Sequence, residues 1–344
     1  MNGDSPTAER PDEAADQEFP GPPLPEGVPD FDPNDPVESA VIRRLVGNWH
    51  RRATVKRDEP DLDELFDPAR ADYPERILPF HDHPTYRALS PEKQSELLSW
   101  AWIAYNRHTV MAEQKVANPA FALVMEGEYP GLGGEALNLS LAQAMVDEQY
   151  HTLMHLNASA VTRRRRGRAM PDNALPLSHT ARVHQELRDR AVERSEKSLT
   201  TLAFATVSEI SINAYLDLLA EDTTIQPINS TTATLHNRDE YCHASISHVL
   251  AEMVYAHLNT SQRRYFLDML MEGLDAFVAN DYSTWHRIVD LADVAGGHEM
   301  LADCQAQAGR GRLVRDYTGL HKLVEQMGVA DQVDFDWSRS HVDS

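Results

Sequence analysis

Between Ser90 and Asn259, four stretches carry apolar residues at the three- and four-residue spacing of a helix rather than the alternation of a strand. The first, Ser90 to Asn118, opens on Ser-Pro, an N-cap followed by proline at the first helical position. The turn-rich EYPGLGGE leads into the second, Ala136 to Val161, which is rich in the good helix formers Leu, Ala and Met. The third spans Arg194 to Glu221 and the fourth Thr234 to Asn259, with the β-branched, proline-containing stretch 222–233 predicted as a linker. Each is long enough to cross a bundle. Stretches 261–281, 283–295 and 311–328 predict shorter helices that cover an end or side of that core, and no strand or fixed-period repeat emerges.

Composition narrows the function classes. Apolar residues make up 42% and charged residues 25% of the 344, as in a soluble globular protein, and no apolar run of about 20 residues predicts a membrane span. The formal net charge of −22 argues against nucleic acid, whose phosphates need Lys and Arg. Residues 1–36 hold ten Asp or Glu, one Arg and nine of the twenty prolines, so they are expected to be a disordered acidic tail. One helical domain is expected over 37–330, with a flexible C-terminus over 331–344. The opposite block, Arg163 to Arg168 (RRRRGR), reads as a solvated loop between helices rather than an anion site. Two cysteines, Cys242 and Cys304, build no disulfide framework, and the N-terminus lacks a basic leader with an apolar core. A cytoplasmic protein is expected.

The triplet Glu-x-x-His occurs twice, at Glu148–His151 and Glu240–His243, which is about what chance allows. Position raises the signal. Each triplet lies mid-helix and follows a helix bearing a glutamate among apolar neighbours, Glu113 and Glu209. The separations are similar, 35 residues from Glu113 to Glu148 and 31 from Glu209 to Glu240. Two related helix pairs, each with a lone Glu and then Glu-x-x-His, carry the ligand set of a dinuclear carboxylate bundle. An unpaired carboxylate in an apolar core is too unfavourable to stay ionised, and the same helix faces offer no Lys or Arg to balance it. Taken singly, each Glu reads as a solvated helix residue and His151 as a core histidine; jointly they read as a metal site. The expected fold is all-α, a ferritin-like four-helix bundle with a dinuclear metal core and additional C-terminal helices.

His236 stands four residues before Glu240, giving His-x-x-x-Glu-x-x-His on one helix face. The seven-residue pattern Glu113, Glu148, His151, Glu209, His236, Glu240 and His243 resembles that of the di-iron arylamine N-oxygenases, the family of the aminobenzoate and chloramphenicol-pathway enzymes, over roughly residues 90–320. The resemblance implies two Fe ions. Glu113 and His151 would hold one, Glu209, His236 and His243 the other, and Glu148 and Glu240 would bridge. It also implies O2 as co-substrate and oxidation of an aromatic amine to a nitroarene through hydroxylamine and nitroso stages, in antibiotic or other secondary-metabolite biosynthesis. Electrons would come from a redox protein or reductase, and the enzyme would be a homodimer.

Asn106, Thr109, Thr206 and Asn213 share the ligand faces of their helices, as substrate contacts or as hydrogen-bond supports of the ligands. By the same resemblance, Arg315 would meet a substrate carboxylate. Rival readings are a di-iron hydroxylase or desaturase, against which the third histidine counts, and a ferritin-like iron-binding or ferroxidase protein, whose subunits are generally shorter.

Overall fold

A computed structural model describes residues 40–339 apart from 59, 130, 280 and 308–315. In chain order the helices are α1 (Ala40–Arg52), α2 (Pro84–Arg87), α3 (Pro91–Ala112), α4 (Asn118–Met125), α5 (Glu135–Arg166) and α6 (His179–Arg190). They continue with α7 (Arg194–Ser211), α8 (Asn213–Ala220), α9 (Pro227–His257), α10 (Thr260–Phe277), α11 (Ser283–Leu291), α12 (Gly297–Ala306) and α13 (Thr318–Gln326). Helices α3, α5, α7 and α9 form the expected four-helix core, and the later helices pack around it. One isolated parallel bridge, Ala71 to Ile225, is the only strand-like pairing among the described residues. The expected tail, residues 1–36, lies outside them.

Two apolar clusters flank a polar belt. Along α5, Leu137, Leu141 and Ala144 belong to one cluster and Ala158 to the other, with Glu148 and His151 between them. Along α9 the order reverses: Ala233 belongs to the second cluster and Ile246 and Leu250 to the first, with His236, Glu240 and His243 between. The two long helices therefore bring their polar middles to one level. The stretch Arg194–Ala220 is apolar and long enough to cross a bilayer, but most of it is buried inside the bundle, as expected of a core helix pair.

The sequence pattern misses two interruptions, both beside lone glutamates. The stretch predicted as one helix from Ser90 ends at Ala112, passes through a π turn at Glu113–Ala117 and resumes as α4. Pro119 has no N–H for the carbonyl one turn back, and its ring crowds that carbonyl, so regular α geometry cannot continue there. The third helix also breaks, restarting as α8 after Ile212, three residues beyond Glu209. The stretch predicted as a linker is mostly helical, because Pro227 occupies the first turn of α9. Helices α1, α6 and α12 are not predicted at all.

The arginine block is structural rather than a solvated loop. Arg163 to Arg166 form the last turn of α5, which Gly167 closes in a left-handed conformation. Arg164 and Arg165 bind Asp63, and Arg166 makes a forked contact with the buried Asp72 while also donating to the Pro68 and Arg70 carbonyls. Within the segment expected to be flexible at the C-terminus, two aromatics pack: Phe335 meets Tyr317 edge-on, and Trp337 stacks on His321 with ring centroids 4.7 Å apart.

Candidate metal centre

The seven residues converge, and none is more than 5% exposed. Two overlapping groups place one donor atom from each member within 4.8 Å of the others: Glu113, His151, His236 and Glu240; and Glu148, His151, Glu240 and His243. Glu209 joins the second group, its Oε2 lying 3.8 Å from His243 Nδ1. Glu113 comes from the π turn, Glu209 from the last turn of α7, and the rest from the middles of α5 and α9.

His236 departs from the allotment that the resemblance implies. Its Nε2 lies 2.9 Å from Glu240 and 3.5 Å from Glu113, so it belongs with Glu113 and not with Glu209 and His243. Helix geometry gives the reason. His236 and His243 are seven residues apart, about 10 Å along the axis, and fall on either side of Glu240, so each faces a different position of the pair.

Hydrogen bonds orient all three imidazoles. His151 Nε2 donates to Asp239 (3.3 Å) and His243 Nε2 to Asp147 (3.4 Å), which leaves both Nδ1 atoms facing the glutamates. Both motifs are thus Asp-Glu-x-x-His, and each aspartate supports the histidine of the other motif. His236 rests on a neutral chain instead. Asn106 donates its amide to the Trp102 carbonyl at 2.6 Å, so its oxygen faces His155 Nδ1 at 2.7 Å; His155 Nε2 then accepts from His236 Nδ1 at 2.8 Å, freeing His236 Nε2 for the glutamates. From α1, Trp49 Nε1 donates to both Asp147 oxygens at 2.9 Å, and Arg52 lies 3.7 Å from Asp147 and 3.6 Å from Asp239. The Thr54 backbone N–H adds a bond to Asp239.

Sequence reading passes over Asp147, Asp239, His155, Trp49 and Arg52. The repeated Asp before each Glu-x-x-His was the available signal; nothing local in the sequence marks Trp49 or Arg52.

The electrostatics fit cations. Without them, burial and the neighbouring Glu148 push the Glu113 carboxyl well above the usual range, and burial, Glu148 and Glu240 do the same to Glu209. Burial opposes charge on His151 and His243, yet the surrounding carboxylates outweigh it and hold both imidazoles well above their ordinary range. His243 Nδ1 meets Glu148 Oε1 at 2.7 Å, and Glu209 Oε2 is buried without a hydrogen-bond partner. Four glutamates facing one interior point, with nitrogen lone pairs between them, suit two divalent ions.

A cavity of about 730 Å³ reaches this point from one side. Glu113, Glu209, His236 and Glu240 line it, whereas Glu148, His151 and His243 lie behind them, toward α1.

The model of the p-aminobenzoate N-oxygenase AurF family matches residues 35–328. The chain belongs to this family. A 4-aminobenzoate N-oxygenase of Streptomyces thioluteus is 40% identical over 303 residues, covering 88% of this chain and 90% of that relative. Among solved structures, an R2-like ligand-binding oxidase with an aerobically reconstituted Mn/Fe cofactor aligns over 88% of this chain and 94% of its own, at 14% identity and a TM-score of 0.43. A point mutant of that oxidase gives the same identity and TM-score.

The remaining expected site residues divide. Thr109 lines the cavity, but Asn106 supports His236 through His155 and does not line it. Thr206 and Asn213 do not line it either; Thr206 Oγ1 and Asn213 Oδ1 are buried without a hydrogen-bond partner. Thr206 is fully buried one turn before Glu209, and the break at Ile212 puts Asn213 in α8, off the continuous helix face that its spacing predicts. Arg315 lies outside the described residues.

Proposed function

We propose that this family member is a dinuclear iron N-oxygenase that uses O2 to convert an aromatic amine to a nitroarene, with Glu113, Glu148, His151, Glu209, His236, Glu240 and His243 as the metal ligands. The observation that carries this reading is the pair of overlapping, buried donor sets at the floor of the cavity. When bound, the metal pair supplies the O2 chemistry; the chain supplies position and dryness.

The cavity suits an arene. Tyr105 and Tyr215 line it with stacked rings 5.6 Å apart, and Ala101, Ala104 and Ile212 keep its wall apolar. An amine set against Glu113, Glu209 and His236 leaves the opposite end of the ring near His108, which is five residues before Glu113, about 7.5 Å along α3. Burial lowers the His108 pKa to about 4, so this imidazole is neutral, and its Nε2 lies 3.3 Å from Thr284 Oγ1. Thr109 and His108 can thus hydrogen-bond a polar group on the ring without adding charge. By the family resemblance, Arg315 is the candidate partner for a substrate carboxylate. The natural amine, the electron-donating redox protein, homodimer formation, a cytoplasmic location and a place in antibiotic biosynthesis belong to the same proposal.

Anaerobic loading with Fe(II), followed by O2 in the presence of 4-aminobenzoate or an uncharged aniline, tests it. Two irons per chain and a nitroarene product are expected. Many irons with no amine oxidation would favour iron storage, and an oxidised C–H bond would favour a hydroxylase.

A further inference from the structure

Residues 40–57 contain six Lys or Arg and no Asp or Glu, in a chain whose net charge is −22. Helix α1 turns Ile42 and Trp49 toward the bundle and exposes Arg44 and Arg51, while Lys56 and Arg57 extend the same basic face beyond the helix. Beneath it lies a continuous contact to the metal centre. The Lys56 ammonium sits 4.7 Å from the centre of the half-buried Trp49 ring. That indole donates to Asp147 at 2.9 Å, and Asp147 accepts from His243 Nε2 at 3.4 Å. No α1 residue lines the cavity, so a partner seated on α1 leaves the substrate side open.

We propose that the basic outer face of α1 docks a small acidic one-electron carrier protein, of the iron–sulfur or flavin class, and that Trp49, Asp147 and His243 connect this face to the metal pair. The inference rests on the oxygenase reading above. At each docking the carrier is oxidised by one electron and one trivalent metal ion becomes divalent; two dockings restore the divalent pair. No bond is made or broken along the route, and the hydrogen bonds serve as contacts. A cationic face on an acidic protein steers an acidic carrier and orients it.

The test follows reduction of the iron-loaded, oxidised full chain by a reduced acidic [2Fe–2S] ferredoxin in a stopped-flow instrument, at low and high salt, beside reduction by dithionite. Wild type is expected to be reduced fastest at low salt. The triple variant Arg44→Glu, Arg51→Glu, Lys56→Glu should lose about tenfold in ferredoxin-driven rate and most of its salt dependence, with dithionite reduction unchanged. Trp49→Phe should bind ferredoxin with wild-type affinity in titration calorimetry but slow the electron step. Reduction of the triple variant at the wild-type rate overturns the proposal, whether the carrier docks elsewhere or the chain's own acidic segment 1–36 covers the face. Failure of ferredoxin to reduce wild type overturns it too. A protein that docks ferredoxin and is reduced, yet makes no nitroarene, refutes the oxygenase reading and leaves the docking result standing.

Discussion

At the residue scale the three imidazoles are not equivalent. His151 and His243 lean on carboxylates, which raise their basicity, whereas His236 leans on the neutral His155 and Asn106. Asn106→Leu removes the acceptor that fixes the His155 tautomer while roughly keeping volume. The expected result is a loss of about 10- to 100-fold in affinity for one of the two ions, read by chelator competition, with the other retained. Equal loss of both ions would show that the chain through His155 is not specific to one position. The protonation pattern yields a second expectation. Glu113, Glu209, His151 and His243 all hold protons more tightly in the metal-free fold than in the unfolded chain. Their contribution to stability is therefore full below the ordinary carboxylate and imidazole values and is lost as pH rises through the raised ones. Metal must displace the same protons, so affinity rises with pH and loading the pair releases protons. Anaerobic Mn(II) titration in a weakly buffered indicator measures the number; none released would contradict this charge state. The candidate ligand cluster was legible in sequence because buried acids without bases call for cations. The supports were not, since Asn106 acts through a residue 49 positions away.

At the element scale, helix existence was legible and helix continuity was not. Apolar spacing locates α5 and α10 well, but it carries no information on whether Glu113 sits in an α or a π turn. The proline at 119 was the available sign, and its effect depends on how α4 must pack. Helix α1 differs: Ile42, Leu45, Val46 and Trp49 recur at helical spacing and Ile42, Leu45 and Val46 pack inward, so its existence was legible, but its role of covering Asp147 and Asp239 was not. Packing near Glu209 is equally tertiary. A Cβ on Gly319 of α13 would lie 2.4 Å from Cγ2 of Ile210, the residue after Glu209. Gly319→Ala should therefore force α13 off α7 and cost about 1–3 kcal/mol, seen as a lower Tm or denaturant midpoint. An unchanged midpoint would mean that Ile210 rotates away without strain.

At the scale of the whole molecule, the site divides the protein into a substrate side, where the cavity meets Glu113, Glu209 and His236, and a covered side, where α1 closes over the aspartates. Overall charge is legible from composition, but this polarity is not, because it depends on which helix faces turn outward. The same consideration bears on assembly. Along α5, Leu139, Val146, Leu153 and Leu156 are each 44–49% exposed, although the helix is central to the core. The first three recur every seven residues, the spacing of a seam between two helices, with Ala142 and Gln149 between them on the outer face. A second copy of α5 related by a two-fold axis would cover this stripe with the same residues, giving the self-complementary interface of a homodimer. Val146→Lys with Leu153→Lys places charges on that seam without touching a ligand. Sedimentation velocity should show wild type as a dimer at micromolar concentration and the double variant as a monomer that still loads two metal ions. A wild type that sediments as a monomer would remove the dimer from the proposal. A double variant that stays dimeric would move the interface to another face.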